Sequence, residues 1–209
     1  MKYTRQLLLT LLLPLLILTG CSGPSSVKEG NSTSDTATTT DKKKIAKKKL
    51  NPRAEAAFKL AVNAIEQGNA DHAIAILDDM INSFPELSGS HVNLGLIYYK
   101  RGDNDRAEAA FQKAIEIKAD NPVALNHLGI IYRRKGRFTE AEKAYQQAIQ
   151  FKPEYANAHL NLAILYDIYL RKLNDALRAY EQYQTLTGKQ DVTVKKWIIG
   201  LKRRIKKSK

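Results

Sequence analysis

Cysteine is almost absent from this 209-residue chain, and the one present, Cys21, has no partner within it to form a disulfide. Histidine is scarce as well. The four, His72, His91, His127 and His159, include no pair one helical turn apart that would hold a metal. No serine stands in a nucleophile-elbow sequence, and Gly102-Asp103 and Gly136-Arg137 read as turns, not phosphate loops. No catalytic residue, metal site or cofactor is expected, so the chain reads as a non-enzyme. An apolar run long enough to cross a bilayer is also missing. The stretch Leu7 to Leu18 falls short of the ~20 residues a spanning helix needs.

Acidic residues are few only in certain places. The formal net charge is +13, yet residues 51–190 hold 17 basic and 17 acidic side chains. The excess lies in the tails: +2 before residue 21, +4 over 21–50 and +7 over 191–209. A groove for phosphate backbones should itself be basic, so nucleic acid is not an expected partner. Basic tails of this kind fit contact with anionic lipid or cell-wall polymer.

What the chain does have is a period of 34 residues. Beneath one another, the segments starting at Ala54, Ser88 and Pro122 place Leu60, Leu94 and Leu128 at position 7, and Ala61, Gly95 and Gly129 at position 8. Position 20 reads Ala73, Ala107, Ala141, and position 24 reads Leu77, Phe111, Tyr145. Small residues at 8 and 20 let two helices approach, and large ones at 7, 11 and 24 fill the space between them. Gly68, Gly102 and Gly136 are placed to end the first helix of each unit. Pro85 and Pro153 are placed to end the second helix, a stop shifted to Asn121-Pro122 in the second unit. A hairpin of this length cannot bury its apolar face alone, so neighbouring units must stack.

The combination His91, Leu94, Gly95, Tyr98, Ala107, Phe111, Ala114, and then Leu125, Leu128, Gly129, Tyr132, Ala141, Tyr145, Ala148, Pro153, resembles the tetratricopeptide repeat pattern over about two thirds of the chain. The resemblance implies an all-α, right-handed α-solenoid of about four helical hairpins over 51–190, with units at about 54–87, 88–121, 122–155 and 156–190. The first unit is degenerate, and the fourth carries one inserted residue near Leu170 and no glycine after its first helix. Val194, Trp197, Ile198, Leu201 and Ile205 recur at helical spacing, which predicts a basic amphipathic cap helix over 191–209.

By analogy with the family, the first helices line a concave groove that takes peptides or proteins. Its residues here would be Val62, Val92, Leu96, Tyr99, Lys100, Asn126, Ile130, Arg133, Arg134, Leu160, Ile164 and Asp167. That is an apolar floor with a charged rim. The family's carboxylate clamp is not reproduced, since position 5 carries no lysine.

Ahead of the repeats, Lys2 and Arg5 precede the apolar stretch, which reads as a secretory signal over 1–20. It ends in Leu18-Thr19-Gly20-Cys21, a tetrad similar to the bacterial lipoprotein box, and the resemblance implies acylation of Cys21. Two or three acyl chains hold a protein on a membrane. Ser22 rather than aspartate favours the outer over the inner membrane, with the repeats facing the periplasm. Residues 21–50 are polar and lysine-rich, a composition that predicts a disordered tether. The expected role is a lipid-anchored adaptor for other envelope proteins. Lipoproteins of similar build act as pilotins in secretin and type IV pilus assembly or as adaptors for hydrolases, and a self-associating structural lipoprotein is the further alternative.

Overall fold

The chain divides into two units, residues 1–46 and 47–209. The computed structural model describes residues 51–208, all within the second unit. The signal, Cys21 and the whole tether lie outside the described residues.

Among the described residues nine α-helices follow one another: α1 (Pro52–Glu66), α2 (Ala70–Ser83), α3 (Ser88–Lys100), α4 (Asn104–Ile117), α5 (Pro122–Arg134), α6 (Phe138–Phe151), α7 (Ala156–Ile164), α8 (Leu173–Leu186) and α9 (Val192–Lys207). Among the described residues there is no strand. Helices pair in order as hairpins, α1 with α2 through α7 with α8, and α9 packs on α8. Successive first helices also touch (α3 with α5, α5 with α7). Successive second helices make no comparable contact, so the stack bends with its first helices on the inner side.

Several starts follow from capping chemistry. Asn69, Asp103 and Asn121 each accept a hydrogen bond from the backbone N–H three residues on, at 3.3, 3.0 and 3.1 Å. Asn51 caps α1 and Asp191 caps α9. Such a cap stabilises a helix by about 1 kcal/mol. Here Pro122 departs from expectation. It is the first residue of α5, with Asn121 as its cap, and α4 has already ended at Ile117. A proline at the first helical position loses no hydrogen bond, because that N–H has no intrahelical partner anyway.

The first helices end as the glycines predict. Gly68, Gly102 and Gly136 have φ of 77°, 80° and 74°, and the residue after each donates back five residues to close the turn, as in Arg137 N–H to Tyr132 O at 2.8 Å. In the fourth unit α7 runs into a π-helical turn, Leu165–Tyr169, where Leu170 N–H bonds Leu165 O at 3.0 Å. One wide turn absorbs one extra residue. Lys172 N–H then reaches Tyr166 O at 2.9 Å, the same closure lengthened by one. Arg171 takes the left-handed position with φ 56°.

The core is a column of small and large residues along the hairpins. Ala107, Phe111, Ala141, Tyr145, Ala163, Ala176 and Tyr180 are all buried. A methyl group at Gly129 would lie 2.5 Å from the Tyr145 ring, and one at Gly95 2.6 Å from Phe111. Those two glycines are needed for closeness, not for backbone freedom. Leu60 departs from its column: Leu94 and Leu128 are buried, but Leu60 is 59% exposed. Position 7 packs against the preceding unit, and among the described residues α1 has none. Among the described residues the buried apolar side chains run from Ala54 to Leu201, so the second compact unit carries a core of its own and is expected to fold as a fragment from residue 51.

Candidate binding face

The inner side is built by α3, α5 and α7. Val92, Leu96 and Tyr99 are half-buried against the cluster around Phe111 and Leu128, while Ile130, Leu160 and Ile164 are half-buried against the cluster around Tyr145 and Tyr180. Val62, on α1, is half-buried too. These apolar side chains present one edge outward and brace the core with the other. A charged replacement of Ile130 or Ile164 would therefore disturb packing as well as any partner.

Two residues assigned to the groove are not available to it. Asn126 is buried, its side-chain oxygen accepting from Asn161 Nδ2 at 3.0 Å across α5 and α7. Asp167 is buried as well, its carboxylate held by Arg204 of α9. In both cases the next helix in the stack covers the position. The cap helix thus closes the inner face at the fourth unit.

Cations and aromatic rings gather at the middle of this face. The Arg134 guanidinium lies 4.7 Å from the Tyr99 ring centroid, and Tyr99 meets the His127 ring edge-on at 5.5 Å. His127 in turn stacks on Phe111 at 5.2 Å. Arg133 and Arg134 pair with no carboxylate among the described residues, and Lys100 at the end of α3 is exposed. Beneath them the Tyr145 hydroxyl is fully buried without a hydrogen-bond partner. Burial pushes its pKa upward and nearby Arg133 opposes that shift, with Tyr99, Tyr169 and Arg134 also within electrostatic reach. A buried hydroxyl without a partner costs free energy.

The larger hollows lie elsewhere. Where second helices splay apart, a cleft of about 470 Å³ is lined by Ile115, Leu125, Leu128, Tyr132 and Ala144 among others, and one of about 480 Å³ by Ile149, His159, Leu162 and Tyr166. They are consequences of the curvature. The unpaired cations beside aromatic and aliphatic side chains mark the inner face instead, and chemistry outweighs volume in locating a recognition surface.

Ion pairs missed by the repeat alignment fix the spacing of the units. Asp71 bonds Arg101 at 2.7 Å and Asp105 bonds Lys135 at 2.6 Å, the same two repeat positions one unit on. Glu108 accepts from Lys135 and Arg137, both at 2.7 Å, and Glu142 from Lys172 at 2.8 Å, again equivalent places. Hydrogen bonds to Glu140 and Glu108 raise the Arg137 pKa. Tyr166 donates to Glu142 at 2.9 Å, and burial together with that carboxylate pushes its pKa up to about 12. Opposite charges recurring 30 residues apart would have pointed to the Asp71 and Asp105 pairs, whereas the Glu108 contacts lie 27 and 29 residues away.

Among the described residues no three His, Cys, Asp or Glu side chains cluster as metal ligands, and no helix is long and apolar enough to cross a membrane.

Comparison with known proteins agrees with this geometry. Two family models, both described as the tetratricopeptide repeat, match residues 55–86 and 86–154. Neither extends into the fourth unit, where the π turn breaks the period. Superkiller complex protein 3 of Mus musculus is 32% identical over 56 residues, which is 27% of this chain and 4% of that protein. Among solved structures, Pseudomonas aeruginosa pilF superposes with a TM-score of 0.65 at 20% identity, covering 74% of this chain and 69% of that one. MamA from Desulfovibrio magneticus RS-1 gives 0.64 at 15% identity, covering 76% and 88%. The first tetratricopeptide domain of Spaghetti (RPAP3), solved with an HSP90 peptide, gives 0.53 at 21% identity, covering 56% and 92%. At such identities the likeness is one of fold. Residues 55–154 carry tetratricopeptide repeats, and they stand in an all-helical solenoid of the kind that serves as a protein-interaction scaffold.

Proposed function

We propose that this chain is a lipid-anchored adaptor of the bacterial envelope, tethered through Cys21 and binding an extended segment of a partner protein on its inner face. The observation that carries the binding half is the pair Arg133 and Arg134, which meet no carboxylate among the described residues, with the Arg134 guanidinium 4.7 Å from the Tyr99 ring centroid. With Leu96, Tyr99 and Ile130 alongside, the face offers apolar contact and two guanidinium groups able to take a carboxylate in bidentate fashion. The anchoring half rests on the sequence Leu18-Thr19-Gly20-Cys21 behind an apolar stretch. Outer-membrane placement follows from Ser22 under the sorting rule of two-membrane cells.

A photo-crosslinking amino acid placed at Tyr99 or Arg134 should give one discrete adduct in intact cells. The same group at Lys143, on the exposed side of α6, should not. Equal adducts from both sides would reject the inner face as the binding surface.

A further inference from the structure

Helix α9 has two faces of opposite character. Val194, Ile198, Leu201 and Ile205 turn inward and pack on α8 and its neighbours. The outward side of the same helix exposes Val192 (64%) and Ile199 (53%), seven residues and thus two turns apart on one line. Around them stand Lys195, Lys196, Arg203, Lys206 and Lys207, all exposed. Two other cations of the helix are spoken for, since Lys202 pairs with Glu181 at 2.8 Å and Arg204 with Asp167. Those five pair with no carboxylate among the described residues, and the only acidic residue nearby in sequence, Asp191, is engaged as the cap.

We infer that the outward face of α9 docks on the surface of an anionic lipid bilayer. Charge complementarity selects a negative partner, since five unpaired cations lie on a single face roughly 24 Å long. The apolar pair in their midst selects a bilayer over a soluble polyanion. A phosphate backbone or an acidic tail offers nothing to Val192 and Ile199, whereas a lipid interface accepts aliphatic side chains below the headgroups while lysines reach upward to the phosphates. Because the inward face of α9 is already committed to the solenoid, docking needs no unfolding. It also needs no acyl chain, so it stands or falls independently of Cys21.

Trp197 is the chain's one tryptophan. It lies on the flank of α9 toward α8, about 140° around the helix from Val192, 41% exposed with its ring 5.7 Å from Tyr180, so its emission reports whether α9 stays packed on α8. Fragment 51–209 lacks Cys21 and all the lysines before residue 50. Mixed with vesicles of phosphatidylcholine containing phosphatidylglycerol, it should float with them. Phosphatidylcholine alone should not carry it, and added salt should release it. Replacing Lys195, Lys196, Arg203, Lys206 and Lys207 by Gln should lower partitioning at least about a hundredfold. Val192→Ser with Ile199→Ser should lower it about fivefold or more while leaving the melting temperature unchanged. If the five-residue variant loses helicity, Lys196→Gln with Arg203→Gln decides, with a drop of about tenfold. Equal binding to neutral vesicles, undiminished binding of the glutamine variants, or indifference to loss of the apolar pair would overturn the assignment, the last by marking a general polyanion site.

Discussion

The Asp167 carboxylate, on the π turn that follows α7, is gripped by the Arg204 guanidinium of α9. This pair joins the last repeat to the cap and removes Asp167 from the binding face. Replacing Arg204 by Ala would strand a mostly buried carboxylate, at a cost of about 1–3 kcal/mol. Urea unfolding of fragment 51–209 should show that loss, and adding Asp167→Asn should recover part of it. Strict additivity of the two substitutions would mean that the pair is not coupled.

Arg171 occupies a left-handed backbone position that glycine fills in the three preceding units. An L side chain there is strained by about 1 kcal/mol. Arg171→Gly should therefore raise the melting temperature by a few degrees, whereas Gly136→Ala should lower it. A fall on Arg171→Gly would show that the side chain contributes more than its backbone costs.

At Gly129 the expectation is a larger loss. The added methyl group of Ala would collide with the Tyr145 ring, forcing α5 and α6 apart at a cost of about 1–3 kcal/mol. Thermal unfolding monitored by circular dichroism would register this as a clear drop. Near-neutrality would imply that the hairpin is looser than its packing indicates.

Two histidines link stability to acidity. Burial lowers the pKa of His127, and burial followed by repulsion from Lys113 lowers that of His91. Both groups bind protons more readily in the unfolded chain. Their contribution is full above the ordinary histidine value of about 6.5 and declines as the pH falls from there toward the folded-state value. The melting temperature should drop as the pH falls below about 6.5, and His127→Phe, which keeps the stack on Phe111, should flatten that drop. Asp103 and Asp191 act in a lower window. Backbone N–H groups of Arg106 and Val194 hold their carboxyls below the usual range, so their stabilisation is present above about 3.9 and is lost only as the pH falls through the folded value. An unchanged melting temperature across the histidine range would contradict the burial of His127.

Much of this architecture is legible in one sequence because a 34-residue period repeats the same packing problem. Gly95 and Gly129 beneath aromatic rings, and Gly102 and Gly136 at positive φ, each answer a local demand that glycine meets at the least cost. The single insertion in the fourth unit is legible for the same reason, though not its form as a π turn. What spacing does not specify is which neighbour arrives from outside the hairpin. Asn126 and Asp167 sit at positions that face a groove in an isolated unit, and the following helix covers both. Leu60 is the converse, a core position with nothing stacked on it among the described residues. Pro122 misleads because proline ends one helix and begins another by the same chemistry. The Glu108 and Glu142 clasps escape notice because a carboxylate at one repeat position carries no mark of a partner in the next unit.

The account as a whole rests on a scaffold held at a membrane by its amino end. Mass spectrometry of the protein recovered from cell membranes tests this most directly. The predicted result is a mature chain beginning at Cys21 and heavier than its sequence by a diacylglyceryl group with or without a further acyl chain, a mass lost in Cys21→Ser. A chain that begins at Met1 and carries a free thiol in the soluble fraction would contradict it.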